Sequence, residues 1–239
     1  PDVEPASELL ARIEAEKAEL VKAKKIKKSK PLKPVSEEEM PFELPEGWVW
    51  CRLGDVVLSI TGGGTPSKRV PDYWNGEIPW ASVKDLKTHK YLSKTRDSIT
   101  HEGLENSSAN LIPNGKVIIC TRMGLGKIAI NNIPLAINQD LKAVDLSSYV
   151  DQEYFFLEYK SRNIVGSGMT VKGIKLEELI NLIYALPPLP EQQAIVQTVD
   201  ALLQELDQLQ QRTETRLQLK ADYATAALRR LTTAQVVGP

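Results

Sequence analysis

Histidine and cysteine are scarce in these 239 residues, with two of each. So few, and so widely separated, they leave no cluster with zinc-ligand spacing. Cys51 and Cys120 each follow an apolar residue, Trp50 and Ile119, and read as buried free thiols rather than a disulfide framework. No apolar run approaches the roughly 18 residues of a membrane span, and no signal peptide is evident. The expectation is a cytoplasmic chain with no membrane partner. A surplus of either charge is also lacking: 30 Lys and Arg stand against 31 Asp and Glu, a net charge of -1. That excludes holding a polyanion by overall charge alone.

The charge is unevenly spread. Residues 47–185 carry 16 basic against 14 acidic side chains, residues 1–46 carry 9 against 11, and residues 186–239 carry 5 against 6. The middle is the one net-positive section, which is compatible with a face for nucleic acid.

Four sections follow from pattern. Residues 1–30 form an N-terminal helical region, with a helix over 6–28 whose apolar stripe is Leu9, Leu10, Ile13, Leu20 and Val21. A basic run, Lys22, Lys24, Lys25, Lys27, Lys28, Lys30 and Lys33, closes it, as a solvated helix end or as a phosphate contact. Residues 31–46 are Pro- and Glu-rich and read as an extended linker. Residues 47–190 make an α+β body, with β-like runs at 48–52, 56–60, 78–82, 116–121, 127–130 and 141–146. Helical segments fall at 151–164 and 175–181. A long helix then covers 191–235, and Pro190 and Glu191 suit its first turn.

That last helix carries Ile195, Val199, Leu202, Leu206 and Leu209 at alternating spacings of four and three, a coiled-coil seam. The seam continues through Leu217 and, after a stutter-like break, Leu228. At a rise of about 1.5 Å per residue the helix spans about 65 Å. A body this size is too small to cover it. The 6–28 helix, folded antiparallel, is one candidate partner, and the remaining length predicts another chain.

Several short motifs stand in order along the body. They are Phe42-Glu43-Leu44-Pro45-Glu46-Gly47-Trp48-Val49-Trp50, Gly62-Gly63-Gly64-Thr65-Pro66-Ser67-Lys68, Tyr73-Trp74-Asn75-Gly76-Glu77-Ile78-Pro79-Trp80 and Ala136-Ile137-Asn138-Gln139-Asp140, followed by Leu186-Pro187-Pro188-Leu189-Pro190-Glu191-Gln192-Gln193. Together they closely resemble one target recognition domain of a Type I restriction–modification specificity subunit, with its flanking helices. The resemblance implies a non-catalytic subunit that recognises one half of a split target in double-stranded DNA. It implies methyltransferase subunits, which would bind the S-adenosylmethionine, and a motor/endonuclease subunit as partners; this chain would hold no cofactor. Family members carry two recognition domains, whereas this chain carries one. It is either one half of a longer subunit or a half-size subunit that forms a homodimer.

The residues themselves point the same way. The triple glycine allows a backbone approach to phosphate, or a plain turn. Lys68 and Arg69 follow it, and Lys84, Lys87, Lys90, Lys94 and Arg96 crowd a second polar stretch. Arg122 and Lys127 bracket another glycine loop, which lacks the spacing of a nucleotide-binding loop. With Lys172, the candidate DNA contacts are Lys68, Arg69, Lys84, Lys87, Arg122 and Lys127. Asn138 and Gln139 have amides suited to adenine, but buried hydrogen bonding is the favoured reading there. The four tryptophans read as packing.

Catalytic readings fare worse. Glu158-Tyr159-Lys160 has nuclease-like spacing but lies in a helical stretch. Pro187-Pro188, flanked by leucines, is no adenine methyltransferase loop. His89 and His101 lack a nucleophile partner at a recognisable elbow. No catalytic or metal site is expected. The alternative to DNA recognition is a coiled-coil scaffold or protein-interaction module without DNA specificity.

Overall fold

The computed structural model describes residues 3–87, 89–166 and 173–235. Two compact units emerge, Pro1–Gln193 and Ala194–Pro239.

In the first unit, helix α1 (Ala6–Lys22) precedes strand β1 (Val49–Arg52), the helical turn α2 (Leu53–Val56) and β2 (Val57–Gly62). Then come β3 (Trp74–Ala81), β4 (Tyr91–Leu92), β5 (Asp97–Ile99), α3 (His101–Glu105) and β6 (Leu111–Ile112). β7 (Lys116–Cys120), β8 (Ile128–Asn131), β9 (Leu135–Ile137) and β10 (Leu141–Leu146) follow, then α4 (Gln152–Ser161), α5 (Leu176–Ile180) and β11 (Ile183–Leu186). The last helix, α6 (Leu189–Gln235), begins at the proline junction.

The fold is α+β. Five strands run in the order β2-β10-β7-β8-β4, four in the order β5-β3-β9-β6, and β1 pairs with β11. β7 and β10 are antiparallel, with Leu141 opposite Cys120, and β10 meets β2 with Lys142 opposite Gly62. Alternation along β9 divides the cores. Leu135 and Ile137 join Ile118, Cys120 and Leu141 in one cluster, while Ala136 joins Ile78, Trp80 and Ile99 in another. Asp151 caps α4, its Oδ1 accepting from the amides of Glu153 and Tyr154, both at 2.9 Å.

One sequence expectation changes. α1 stops at Lys22 because Lys24 adopts a left-handed conformation, φ 56°, that closes the last turn. Its stripe is spent on the globular unit: Ala6, Leu9 and Ile13 are buried, and Lys17 Nζ donates to Gly54 O at 2.6 Å. The stretch 31–46 runs without regular structure apart from a turn at Glu37–Glu39, and it is pinned to the body. The guanidinium of Arg52 binds the carbonyls of Lys33 and Pro34 and the carboxylate of Glu39.

The proline junction is stitched to the body. Gln192 is fully buried; its amide oxygen accepts from Asp151 N at 2.8 Å and its Nε2 donates to Pro187 O at 3.0 Å. Trp48 Nε1 donates to Glu191 Oε2 at 2.7 Å. In the second unit, Leu202, Leu206, Leu209 and Leu217 are 57–61% exposed, so the seam is open to solvent over these positions. Leu228 is exposed as well, while Ile195 and Val199 are half-buried.

Candidate nucleic-acid interface

Strand direction gathers the glycine loops. β2 ends at Gly62, its neighbour β10 starts at Leu141, and β7 ends at Cys120 beside it. Three loops therefore leave one end of the five-stranded sheet: 62–68, 121–127 and 138–140.

The segment Ala136–Asp140 ties them together. Gly64 N donates to Ile137 O at 2.9 Å, and Asn138 N donates to Ala81 O at 2.9 Å. Thr65 Oγ1 donates to the Gln139 side-chain oxygen. On the other flank, the amide and hydroxyl of Thr121 both donate to Asp140 O, at 2.9 and 3.2 Å. Asn138 Nδ2 donates to Asp140 Oδ2 at 3.2 Å, and Asp140 N returns a bond to Asn138 Oδ1.

The glycines are there for close packing. A Cβ on Gly63 would lie 2.0 Å from Ile137 O, and one on Gly64 would lie 2.2 Å from Ser108 Oγ. The backbone of the loop is also held by two indoles. Trp80 Nε1 donates to Gly64 O at 3.0 Å and Trp74 Nε1 to Ser67 O at 3.2 Å, the rings meeting edge to face at 5.2 Å. A recess of about 280 Å3 lies among Lys68, Trp74, Trp80 and Asp97. The tryptophans thus pack, as expected, and in packing they set the course of the loop.

The candidate cations separate into groups. Lys68 and Arg69 are exposed just beyond the glycine loop. Lys127 Nζ donates to Val83 O at 3.4 Å, which brings the 121–127 loop against the turn bearing Lys84 and Lys87, both exposed. Arg122 is half-exposed, its Nε 3.7 Å from Asp140 Oδ1, and its backbone bridges Gly173. Lys90 leaves the polar cluster, because its Nζ binds Glu153 Oε2 on α4 at 2.7 Å. Lys172 lies outside the described residues.

Sequence reading missed Gln139 as an exposed group. Asn138 and Asp140 are buried, but the residue between them faces solvent. No local pattern marked it, because residue 139 keeps the parity of the buried Leu135 and Ile137. Met123, exposed at φ 58°, marks the tip of the second glycine loop.

Burial pushes the thiols of Cys51 and Cys120 up, which suppresses the nucleophilic thiolate. Among the described residues no group of three or more His, Cys, Asp or Glu could hold a metal ion. Glu158, of the nuclease-like triplet, is taken by Arg162 on its own helix. No helix of the described residues is long and apolar enough to cross a membrane.

Known proteins resemble this chain across most of its length. The specificity subunit of the Type I restriction enzyme EcoAI of Escherichia coli is 32% identical over 95% of this chain and 40% of its own length. That of EcoEI, also from Escherichia coli, is 28% identical over 95% of this chain and 41% of its own length. The chain thus spans about two fifths of those relatives. A subunit from a solved study of complex assembly and conformational transition of the type I R-M system is 25% identical, with a TM-score of 0.59, over 90% of this chain and 51% of its own. The HsdS subunit from Thermoanaerobacter tengcongensis shares the fold, with a TM-score of 0.53 at 22% identity, over 85% of this chain and 47% of its own. With residues 45–219 matching the model of the Type I restriction modification DNA specificity domain, the chain belongs to that family.

Proposed function

We propose that this chain recognises one half of a split DNA target for a Type I restriction–modification enzyme. The observation that carries the reading is the locking of two glycine- and cation-bearing loops, 62–68 and 121–127, onto Ala136–Asp140 at one end of a sheet. Rigid loops bind at lower entropic cost and hold side chains in one register against the duplex. Lys68, Arg69, Lys84, Lys87, Arg122 and Lys127 bind phosphates and fix that register. Lys172 belongs to the same set by charge alone. Gln139 is exposed beside Thr65, and its side-chain amide has the chemistry that recognises base edges in the major groove. Arg122 exchanges its long contact with Asp140 for a phosphate.

The chain is non-catalytic and holds no cofactor of its own. S-adenosylmethionine belongs to methyltransferase subunits that dock on the helices, and a motor/endonuclease subunit completes the assembly. The open leucine face of α6 pairs with a helix of a second copy or of a second recognition half. Nothing in the family match or the fold favours the scaffold alternative.

The test is an anisotropy titration against random and target-bearing duplexes, with and without a methyltransferase subunit. Salt-sensitive binding that gains sequence preference with the partner supports the reading. Binding indifferent to sequence in the assembled complex refutes it, and metal-dependent cleavage by the purified chain refutes the non-catalytic assignment.

A further inference from the structure

Several cations of the body have acids beside them. Arg52 meets Glu39, Lys116 meets Asp145, and Arg162 meets Glu158. The run from Lys22 to Lys33 is the opposite case. Seven lysines stand in it with no acid between them, all are exposed, and none takes part in an ion pair among the described residues.

This run is not a frayed end. Its start is fixed by Lys24 N to Val21 O at 3.0 Å and Lys25 N to Leu20 O at 2.9 Å. Its far end is fixed by Arg52, which holds the carbonyls of Lys33 and Pro34. Leu32 fills the space above Gly54, where a Cβ would lie 2.6 Å from Leu32 Cδ1. Crowded like charges repel, and here the chain is held in place against that repulsion.

Between this basic hook and α1 lies a groove of about 610 Å3. Leu10, Val21 and Leu32 give it an apolar floor, and Lys28, Lys30 and Lys33 a basic rim. Glu14 and Asp55 are the acids that reach it, and Asp55 is engaged with Arg52 N at 2.7 Å.

The groove lies at the wrong end of the sheet for the DNA face. Lys17 on Gly54, and Ser147 on Glu16, fix α1 where β2 begins and β10 ends. The glycine loops leave the other ends of the same strands, roughly 20 Å away at about 3.3 Å per residue. A duplex is also a convex rod with its phosphates outermost, and its apolar groups, the thymine methyls, lie inside the major groove, out of reach of a recessed floor. An acidic peptide carrying an aliphatic side chain matches both parts.

We infer that the groove between α1 and the Lys22–Lys33 hook receives an acidic, leucine-bearing segment of a partner protein. Carboxylates of that segment meet Lys28, Lys30 and Lys33, while its aliphatic side chain rests on Leu10, Val21 and Leu32. This site stands or falls separately from recognition of DNA by the glycine loops.

The test titrates the full chain against a short fluorescein-labelled peptide of repeating Glu-Glu-Leu, against its Glu-Glu-Ser counterpart, and against a random duplex. The leucine peptide binds more tightly than the serine one. The combined Lys28→Glu, Lys30→Glu and Lys33→Glu variant, all at exposed positions, loses affinity for it by about tenfold or more. Val21→Ser removes the preference for leucine, and the charge-reversed chain keeps its affinity for duplex. Equal binding of both peptides, or an unchanged affinity in the charge-reversed chain, overturns the inference. So does displacement of the peptide by duplex, which assigns the lysines to phosphate. Loss of self-association in the charge-reversed chain makes a second copy the occupant and overturns it too.

Discussion

Arg52 and Glu39 form a forked ion pair, Nη1 to Oε1 at 2.9 Å and Nη2 to Oε2 at 2.7 Å. Nε binds Lys33 O, and the other two hydrogens bind Asn181 O and Pro34 O. All five guanidinium donors are thus used, by three separate parts of the chain. One buried side chain on β1 fastens the stretch 31–46, and with it the basic hook, to the end of α5.

Arg52→Lys keeps the charge and loses the fork. A lysine cannot serve carbonyls and carboxylate in one plane, so some carbonyls are left with poor partners. Urea unfolding of the full chain should show a loss of about 2–4 kcal/mol. Limited proteolysis should then cut first within 31–46. An unchanged midpoint would make the fork incidental.

Glu39 gives a pH signature. Its hydrogen bonds to Arg52, then to Ser36, hold its carboxyl down from the ordinary 4.5 to about 2. The folded state therefore binds this proton less readily than the unfolded chain does. The resulting stability is present in full above about 4.5 and is lost as pH falls towards about 2. Thermal melts of the chain and of Glu39→Gln should differ above pH 4.5 and converge as pH falls through that window. A difference that stays constant down to the lower limit would mean the carboxylate charge contributes nothing.

Apolar runs bounded by turn residues made the longer strands legible, and β7 and β8 are buried almost throughout. The short partners escaped: β4 and β6 have two residues each, too few for a period to show. The pinning of 31–46 to the body escaped for a different reason. Composition at 31–46 registers Pro and Glu but cannot register that Arg52, distant in sequence, uses the carbonyls there. At the candidate interface the glycines and Lys68 were visible as residues. Their joining to Gln139 and Asp140 depends on strand order, which no local pattern encodes.

Gly63→Ala and Gly64→Ala should separate loop course from fold. Each methyl meets backbone or Ser108 well inside contact distance, so the loop must move. The overpacking costs about 1–3 kcal/mol. Circular dichroism should stay native at room temperature while duplex affinity falls. Retained affinity and sequence preference in both variants would remove the glycine loop from the interface.

Phosphate contacts leave a salt signature. Single Ala variants of Lys68, Arg69 and Lys127 should each reduce the slope of log affinity against log salt by about one. Lys116→Ala is the control, since Lys116 begins β7 at the far end of the sheet and binds Asp145. A control that lowers the slope as much as Lys68→Ala would show a diffuse field in place of a defined face.

Leu206 and Leu209 test the helical arm. Both are more than half exposed on the second compact unit, and burying each against a partner helix is worth about 2 kcal/mol. Leu206→Asp with Leu209→Asp replaces that gain by the cost of burying carboxylates. Self-association, followed by light scattering over a concentration series, should weaken by at least about a hundredfold. The core of residues 1–193 contains neither leucine, so its melting transition should be kept. Collapse of that transition would show the helix sustains the globular unit. A monomer in the unsubstituted chain at high concentration would show that the leucine seam is reserved for a different subunit.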